Sequence, residues 1–157
     1  MTGVQTCALP ISEGFAAPWW FGFHGVPGLA ETVLAGHEAA YVDWFLRAAT
    51  ASGAGIAPEA RDAFVAAYRG VESLRCGFEH YRAFDLDADQ MAAAGRLSVP
   101  ALAVAGGVVG EAVGHQLAGI GDDVTRVAVA GCGHLIPEEQ PDALAEHLLA
   151  FAARCAP

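Results

Sequence analysis

Two short apolar runs, Ala101-Leu-Ala-Val-Ala105 and Val124 to Ala130, each stop at a glycine step, Gly106-Gly107 and Gly131-Cys-Gly133. A continuous run of this length closed by glycine reads as a strand buried on both faces, as in a parallel sheet. Parallel neighbours cannot be joined by a tight turn, and the segment between them, Gly110 to Ile120, has the length of a helix. A further helix is expected from Pro141 to Arg154. Strand, helix, strand, helix predicts a right-handed crossover and an α/β architecture.

The preceding half has a different periodicity. Leu29, Val33, Leu34, His37, Ala40, Tyr41, Trp44, Phe45 and Ala48 recur at three- and four-residue steps, with Glu31, Glu38, Asp43 and Arg47 mostly between them. That spacing predicts helix with a break at Gly36. Ala51 to Ala57 reads as a turn. Pro58 suits the first turn of a helix over Glu59 to Tyr68, and another helix is expected from about Val71 to Phe84. The aromatic stretch from Phe15 to Pro27, broken by Pro18, Gly22 and Gly25, predicts a short helix or ordered loop lining a cavity.

Composition excludes several classes. A net charge of -10, with eight arginines and no lysine in 157 residues, leaves no basic face for nucleic acid. Gly, Arg or acidic residues interrupt every apolar stretch before it reaches membrane-spanning length, so no membrane role is expected. Cys7, Cys76, Cys132 and Cys155 form no C-x-x-C pair, and His24, His37, His80, His115 and His147 show no metal-ligand spacing. No metal is therefore expected, and a reducing cytoplasm fits best. The opening string, residues 1 to 12, lacks signal-peptide logic. Read as codons from a GTG start it resembles a sequencing adaptor, and is expected to be non-native, with the gene entered mid-frame.

The most specific segment is Ala130-Gly-Cys-Gly-His-Leu-Ile-Pro-Glu-Glu-Gln-Pro-Asp142: a strand end, a glycine turn, one histidine, then acids and prolines leading into a helix. The turn is expected to hold the imidazole over the carboxyl ends of the strands, where open α/β sheets keep their sites. A histidine titrates close enough to neutrality to take a proton from water or serine and return it. Glu138, Glu139 and Pro141 suit the start of the helix that follows.

This segment resembles the histidine loop of α/β-hydrolases. Trp19-Trp-Phe-Gly-Phe-His24 with Pro27-Gly-Leu-Ala-Glu31 is similar to the start of the helical cap of epoxide hydrolases and fluoroacetate-type dehalogenases, and Tyr81-Arg82 to the cap's closing pair. The resemblance implies residues 13–84 as a helical cap (lid) portion and 85–157 as the C-terminal part of the hydrolase core. It implies His134 as the catalytic base, Tyr81 as the donor to a developing alkoxide, and Trp19 and Trp20 as lining for a small apolar substrate. No cofactor is implied. Packing alone explains Tyr81 equally well, since Leu74, Phe78 and Phe84 on the same stretch read as core.

An enzyme of this fold also needs a nucleophile on a strand-to-helix elbow and an acid to orient the histidine. The chain contains no G-x-S-x-G or G-x-D-x-G, and Gly106-Gly-Val-Val-Gly110 carries no carboxylate before Glu111. Both groups are expected upstream of these residues, leaving the chain by itself inactive. The reaction implied is hydrolysis of an epoxide or carbon–halogen bond through an alkyl-enzyme ester. The alternatives are a serine esterase or C–C hydrolase of the same fold, and a non-catalytic ligand-binding relative. Oligomeric state is not legible.

Overall fold

The computed structural model describes residues 18–107 and 110–156; the segment expected to be non-native, residues 1 to 12, lies outside them. Among the described residues two compact units emerge, one of residues 18–42 and 62–95, the other of 43–61, 96–107 and 110–156, so that both the third and the fourth helix contribute to each.

The first unit is helical. It contains α1 (Trp19–Gly25), α2 (Leu29–Leu34), the start of α3 (Glu38–Ala49), most of α4 (Pro58–Ala67), α5 (Val71–Arg82) and α6 (Phe84–Ala93). The expected break at Gly36 is present, with a positive φ of 83°. Glycine adopts that dihedral without a Cβ penalty. Pro58 opens α4 as expected, because a first-turn residue has no intrahelical partner for its missing N–H. Helix α6 goes beyond what the sequence leads one to expect, and α5 ends at Arg82 rather than Phe84. The α6 segment is helical by backbone with no buried residue, so it carries little apolar periodicity to read.

The core of this unit is Ala30, Leu34, Leu74 and Phe78, with Phe23, Tyr41, Tyr68 and Tyr81 packed on it. Leu74 and Phe78 are one helical turn apart on α5, which brings their side chains onto one face. Inside this apolar cluster lie three polar side chains, His24, Glu31 and Arg82. Arg82 meets Glu31 at 2.7 Å, with side-chain exposures of only 12% and 4%. His24 stacks flat on Phe78 with ring centres 4.2 Å apart, and its Nε2 lies 2.5 Å from the Tyr41 hydroxyl.

The second unit carries the sheet. β1 (Ala101–Gly106) and β2 (Val124–Val129) pair in parallel, Ala101 opposite Val124 through Gly106 opposite Val129, and α7 (Ala112–Ile120) crosses between them. Both strands fall where the apolar runs place them. Their burial is less complete than expected: Ala103, Ala105 and Gly106 are buried on β1, but β2 leaves Arg126 and Ala128 exposed, in a sheet of two strands among the described residues. Helix α7 packs on both strands, closely enough that a Cβ on Gly114 would meet the Arg126 side chain. The short helix α8 (Ile136–Glu139) and the long α9 (Pro141–Cys155) close the unit, with α9 against β2. Leu97 and Gly121 form a further parallel bridge. Among the described residues, no helix is long and apolar enough to cross a membrane.

Burial holds the His24 imidazole down at about 4, with the Arg82 charge acting in the same direction and Glu31 opposing. Between about 4 and the ordinary 6.5, the unfolded chain binds a proton that the folded chain refuses. Stability contributed by neutral His24 is therefore complete above pH 6.5 and lost as pH falls toward 4. In denaturant titrations, wild type is expected to lose roughly 2 kcal/mol more than His24→Phe across that window. Parallel curves for the two proteins contradict this account.

Candidate active site

The chain leaves β2 at Val129 and turns through Gly131, whose φ of 66° lies in the left-handed region. Cys132 and Gly133 are buried and His134 is exposed. The turn therefore buries the two residues before the histidine and leaves His134 at the surface. Gly133 is required for a different reason from Gly131: a Cβ there would overlap the carbonyl oxygen of Ala49 and the amide of Ala51. Gly106, at the end of β1, faces the same turn, and its own Cβ would strike the Gly133 carbonyl.

Hydrogen bonds hold this turn from two sides. The Gly107 N–H donates to the Cys132 carbonyl, and the His134 N–H donates to Ala49 O at 2.6 Å. Glu139, from α8, places Oε1 2.8 Å from the Gly133 N–H and Oε2 2.8 Å from the Ala51 N–H. The Cys132 thiol also approaches Oε1, at 3.9 Å. Burial, and then the adjacent Glu139 carboxylate, push the Cys132 thiol up, so it remains a neutral donor. In the sequence Glu139 is legible only as an acid suited to a helix start. Its second role needs the amides of two distant segments, Ala51 and Gly133, to converge on one carboxylate, which no local pattern encodes.

The His134 ring makes no hydrogen bond among the described residues. Glu111 is the carboxylate nearest in sequence to the end of β1; it stands at the N-cap of α7 without capping it, and its Oε2 faces His115 Nε2 at 3.3 Å. The nearby open cleft, about 220 Å³, is lined by Ala103, Ala105, Glu111, Gly114, Arg126 and Val127 with Ala128, and does not include His134. Among the described residues no group of His, Cys, Asp and Glu could hold a metal ion.

Tyr81, Trp19 and Trp20 belong to the helical unit. Tyr81 is half-buried near the end of α5, with its ring 4.4 Å from His24, 5.5 Å from Phe21 and 5.4 Å from Phe84. Burial, and secondarily Tyr68, raise its hydroxyl above the ordinary phenol value, which keeps it a proton-bearing donor at neutral pH. Trp19 and Trp20 meet edge to face at 5.8 Å, Trp19 exposed and Trp20 half-buried. The other histidines separate: His24 is buried in the core, whereas His37, His80 and His115 are exposed.

Solved structures share this architecture. Cfl2 from Burkholderia cenocepacia is 37% identical, with a TM-score of 0.79 over 94% of this chain and 52% of its own. A candidate epoxide hydrolase from Pseudomonas aeruginosa, solved as a variant with bound MFA, is 29% identical, with a TM-score of 0.74 over 87% of this chain and 49% of its own. The Cif epoxide hydrolase from Acinetobacter nosocomialis, 20% identical with a TM-score of 0.76 over 85% of this chain and 44% of its own, shows the shared fold. No protein-family model and no curated protein matches the chain. The structure is thus a partial α/β-hydrolase fold of the kind found in epoxide hydrolases, and the chain spans about half the length of the solved structures it matches.

The glycine turn makes a direct prediction. Gly133→Ala is expected to cost roughly 2–4 kcal/mol, because the added methyl meets backbone that cannot rotate away. Gly131→Ala, whose cost is left-handed backbone alone, is expected to lose only about 1 kcal/mol. Chemical denaturation of the two variants checks the order; equal costs contradict it.

Proposed function

We propose that this chain supplies the base, and the alkoxide donor, of a cofactor-free hydrolase that opens an epoxide or cleaves a carbon–halogen bond in a small apolar substrate. The observation that carries this reading is His134, exposed at the carboxyl end of β2 on a turn whose backbone is fixed at Gly133 and His134 itself. Similarity at 29% identity to the candidate epoxide hydrolase from Pseudomonas aeruginosa supports the reaction class.

In this reading an Asp carboxylate from outside this stretch of sequence attacks the substrate carbon. The carbon–oxygen or carbon–halogen bond breaks and an alkyl-enzyme ester forms. For an epoxide, the Tyr81 phenol donates a hydrogen bond to the oxygen as it gains charge. His134 then takes a proton from water as that water adds to the ester carbonyl, releasing the product and restoring the carboxylate. In this reading the orienting acid for His134 also comes from outside this stretch of sequence, and Glu111 faces His115 at the surface. The helical unit acts as the cap, and the Trp19–Trp20 pair lines an apolar pocket. The free thiols of Cys76, Cys132 and Cys155 fit a cytoplasmic enzyme.

The test joins this chain to the part of Cfl2 that the match leaves uncovered and assays hydrolysis of an apolar epoxide and an apolar haloalkane. His134→Gln is expected to abolish turnover and to accumulate the alkyl ester, seen on the intact protein as a mass increase of one substrate for an epoxide and of one substrate less hydrogen halide for a halogenated substrate. Unchanged turnover in His134→Gln refutes the role given to it. Turnover that needs His134 but leaves no alkyl ester points to a serine nucleophile and overturns the reaction proposed.

A further inference from the structure

We infer that Glu139 is a positioning residue for His134, a role that rests on reading His134 as the base. Three donors from two separate stretches of chain converge on this one carboxylate. Oε1 receives the Gly133 N–H at 2.8 Å and the Cys132 thiol at 3.9 Å, and Oε2 receives the Ala51 N–H at 2.8 Å. His134 itself adds a bond from the same turn to the same corner, its N–H donating to Ala49 O at 2.6 Å. The residues before and at the imidazole are therefore laced to the end of α3, and the side chain that does the lacing is Glu139.

The chemistry of the group matters as much as its place. An ionised carboxylate is acceptor-only, with two equivalent oxygens, so it satisfies N–H donors on both sides at once. Charge-assisted bonds of this kind are about twice as strong as neutral ones. Glutamine has the same shape, but it offers one acceptor and one NH₂ group. Whichever way the amide is turned, it sets a donor against either Gly133 N–H or Ala51 N–H. Gly133 is buried, so losing its acceptor leaves a donor cut off from water, and the turn must shift to recover it.

A base that delivers water to a reacting carbon must be held close to one geometry, and loops reach that only through supporting contacts. The His134 ring makes no hydrogen bond of its own among the described residues, and the backbone that carries it is the one that Glu139 and Ala49 hold. Cys132 fits the same reading, since its buried thiol stays protonated and adds a donor to Oε1.

The experiment compares the full chain with Glu139→Gln, both ¹⁵N-labelled, by amide hydrogen exchange and by the imidazole ¹⁵N–¹H spectrum of His134. Wild type is expected to give slow exchange at Gly133 and Ala51 and one set of His134 ring signals. In Glu139→Gln at least one of those two amides, the one left facing the NH₂ group, is expected to exchange at least about tenfold faster, the loss expected from one charge-assisted bond, with the His134 ring signals doubled or broadened. Protection at Val104 and Val127, in the sheet, should stay at the wild-type level. Unprotected Gly133 and Ala51 amides in wild type overturn the inference, as does a His134 ring spectrum that Glu139→Gln leaves unchanged. A glutamate that only stabilised the unit would speed all its amides together and leave the ring spectrum of the folded form as it was. These readouts do not depend on catalysis, so failure of the proposed hydrolase activity leaves them interpretable.

Discussion

The bonds received by the Glu139 carboxylate are the interaction on which the glycine turn of the sheet unit depends. A turn that buries Cys132 and Gly133 removes backbone N–H groups from water, and each must find an acceptor. Ala49 O serves His134, and Glu139 serves Gly133 and Ala51. Once those donors are satisfied, the chain can pass close against Gly106 and Gly107 at the end of β1 and still turn the imidazole outward. The glycines are consequences of that closeness. At Gly106 and Gly133 there is backbone where a Cβ would be, and at Gly131 the dihedral itself demands glycine.

The helical unit solves a different problem, with charge placed inside a core. Taking Glu31 and Arg82 out of water is costly. Their contact at 2.7 Å, with Glu79 also receiving Arg82 at 2.8 Å, offsets part of that cost, while Glu31 Oε2 and Arg82 Nε are buried without a hydrogen-bond partner among the described residues. Burial by itself would raise the Glu31 carboxyl; backbone hydrogen bonding and Arg82 outweigh it and hold the group below its ordinary value. Breaking such a pair from one side strands the other charge, so it specifies how α2 and α5 meet. Tyr81 directly precedes Arg82, and this pairing with the ring contacts to His24, Phe21 and Phe84 gives the phenol a fixed setting. Packing and a chemical role are therefore compatible for Tyr81, because the same contacts serve both.

The elements most legible in the sequence are those whose burial is periodic or continuous. Both strands, the crossover helix, the break at Gly36 and the start at Pro58 follow from apolar spacing and from the backbone limits of glycine and proline. Helix α6 is not visible because none of its residues is fully buried. Near-complete burial of both strands is more than the apolar runs can support, because Val124 to Val129 contains Arg126 and the sheet is open at Ala128. At the site, the surface position of His134 is legible because the histidine follows a Gly-Cys-Gly turn at the end of an apolar run. Glu139 is legible as a helix-start acid, but its contacts to Ala51 and Gly133 are not, since they arise only when distant segments meet. His24 gives no signal that separates it from the exposed histidines, because its burial comes from Phe78 and Tyr41, not from its neighbours in sequence.

The account turns on whether the imidazole on this turn is the group that activates water. The rate at which a preformed alkyl ester breaks down, followed against pH in the completed protein, can be set beside the His134 ring titration measured by ¹⁵N NMR on the same sample. The prediction is that breakdown rises with pH along the His134 titration curve and levels off once the ring is neutral. A rate that stays flat while His134 titrates would contradict the account.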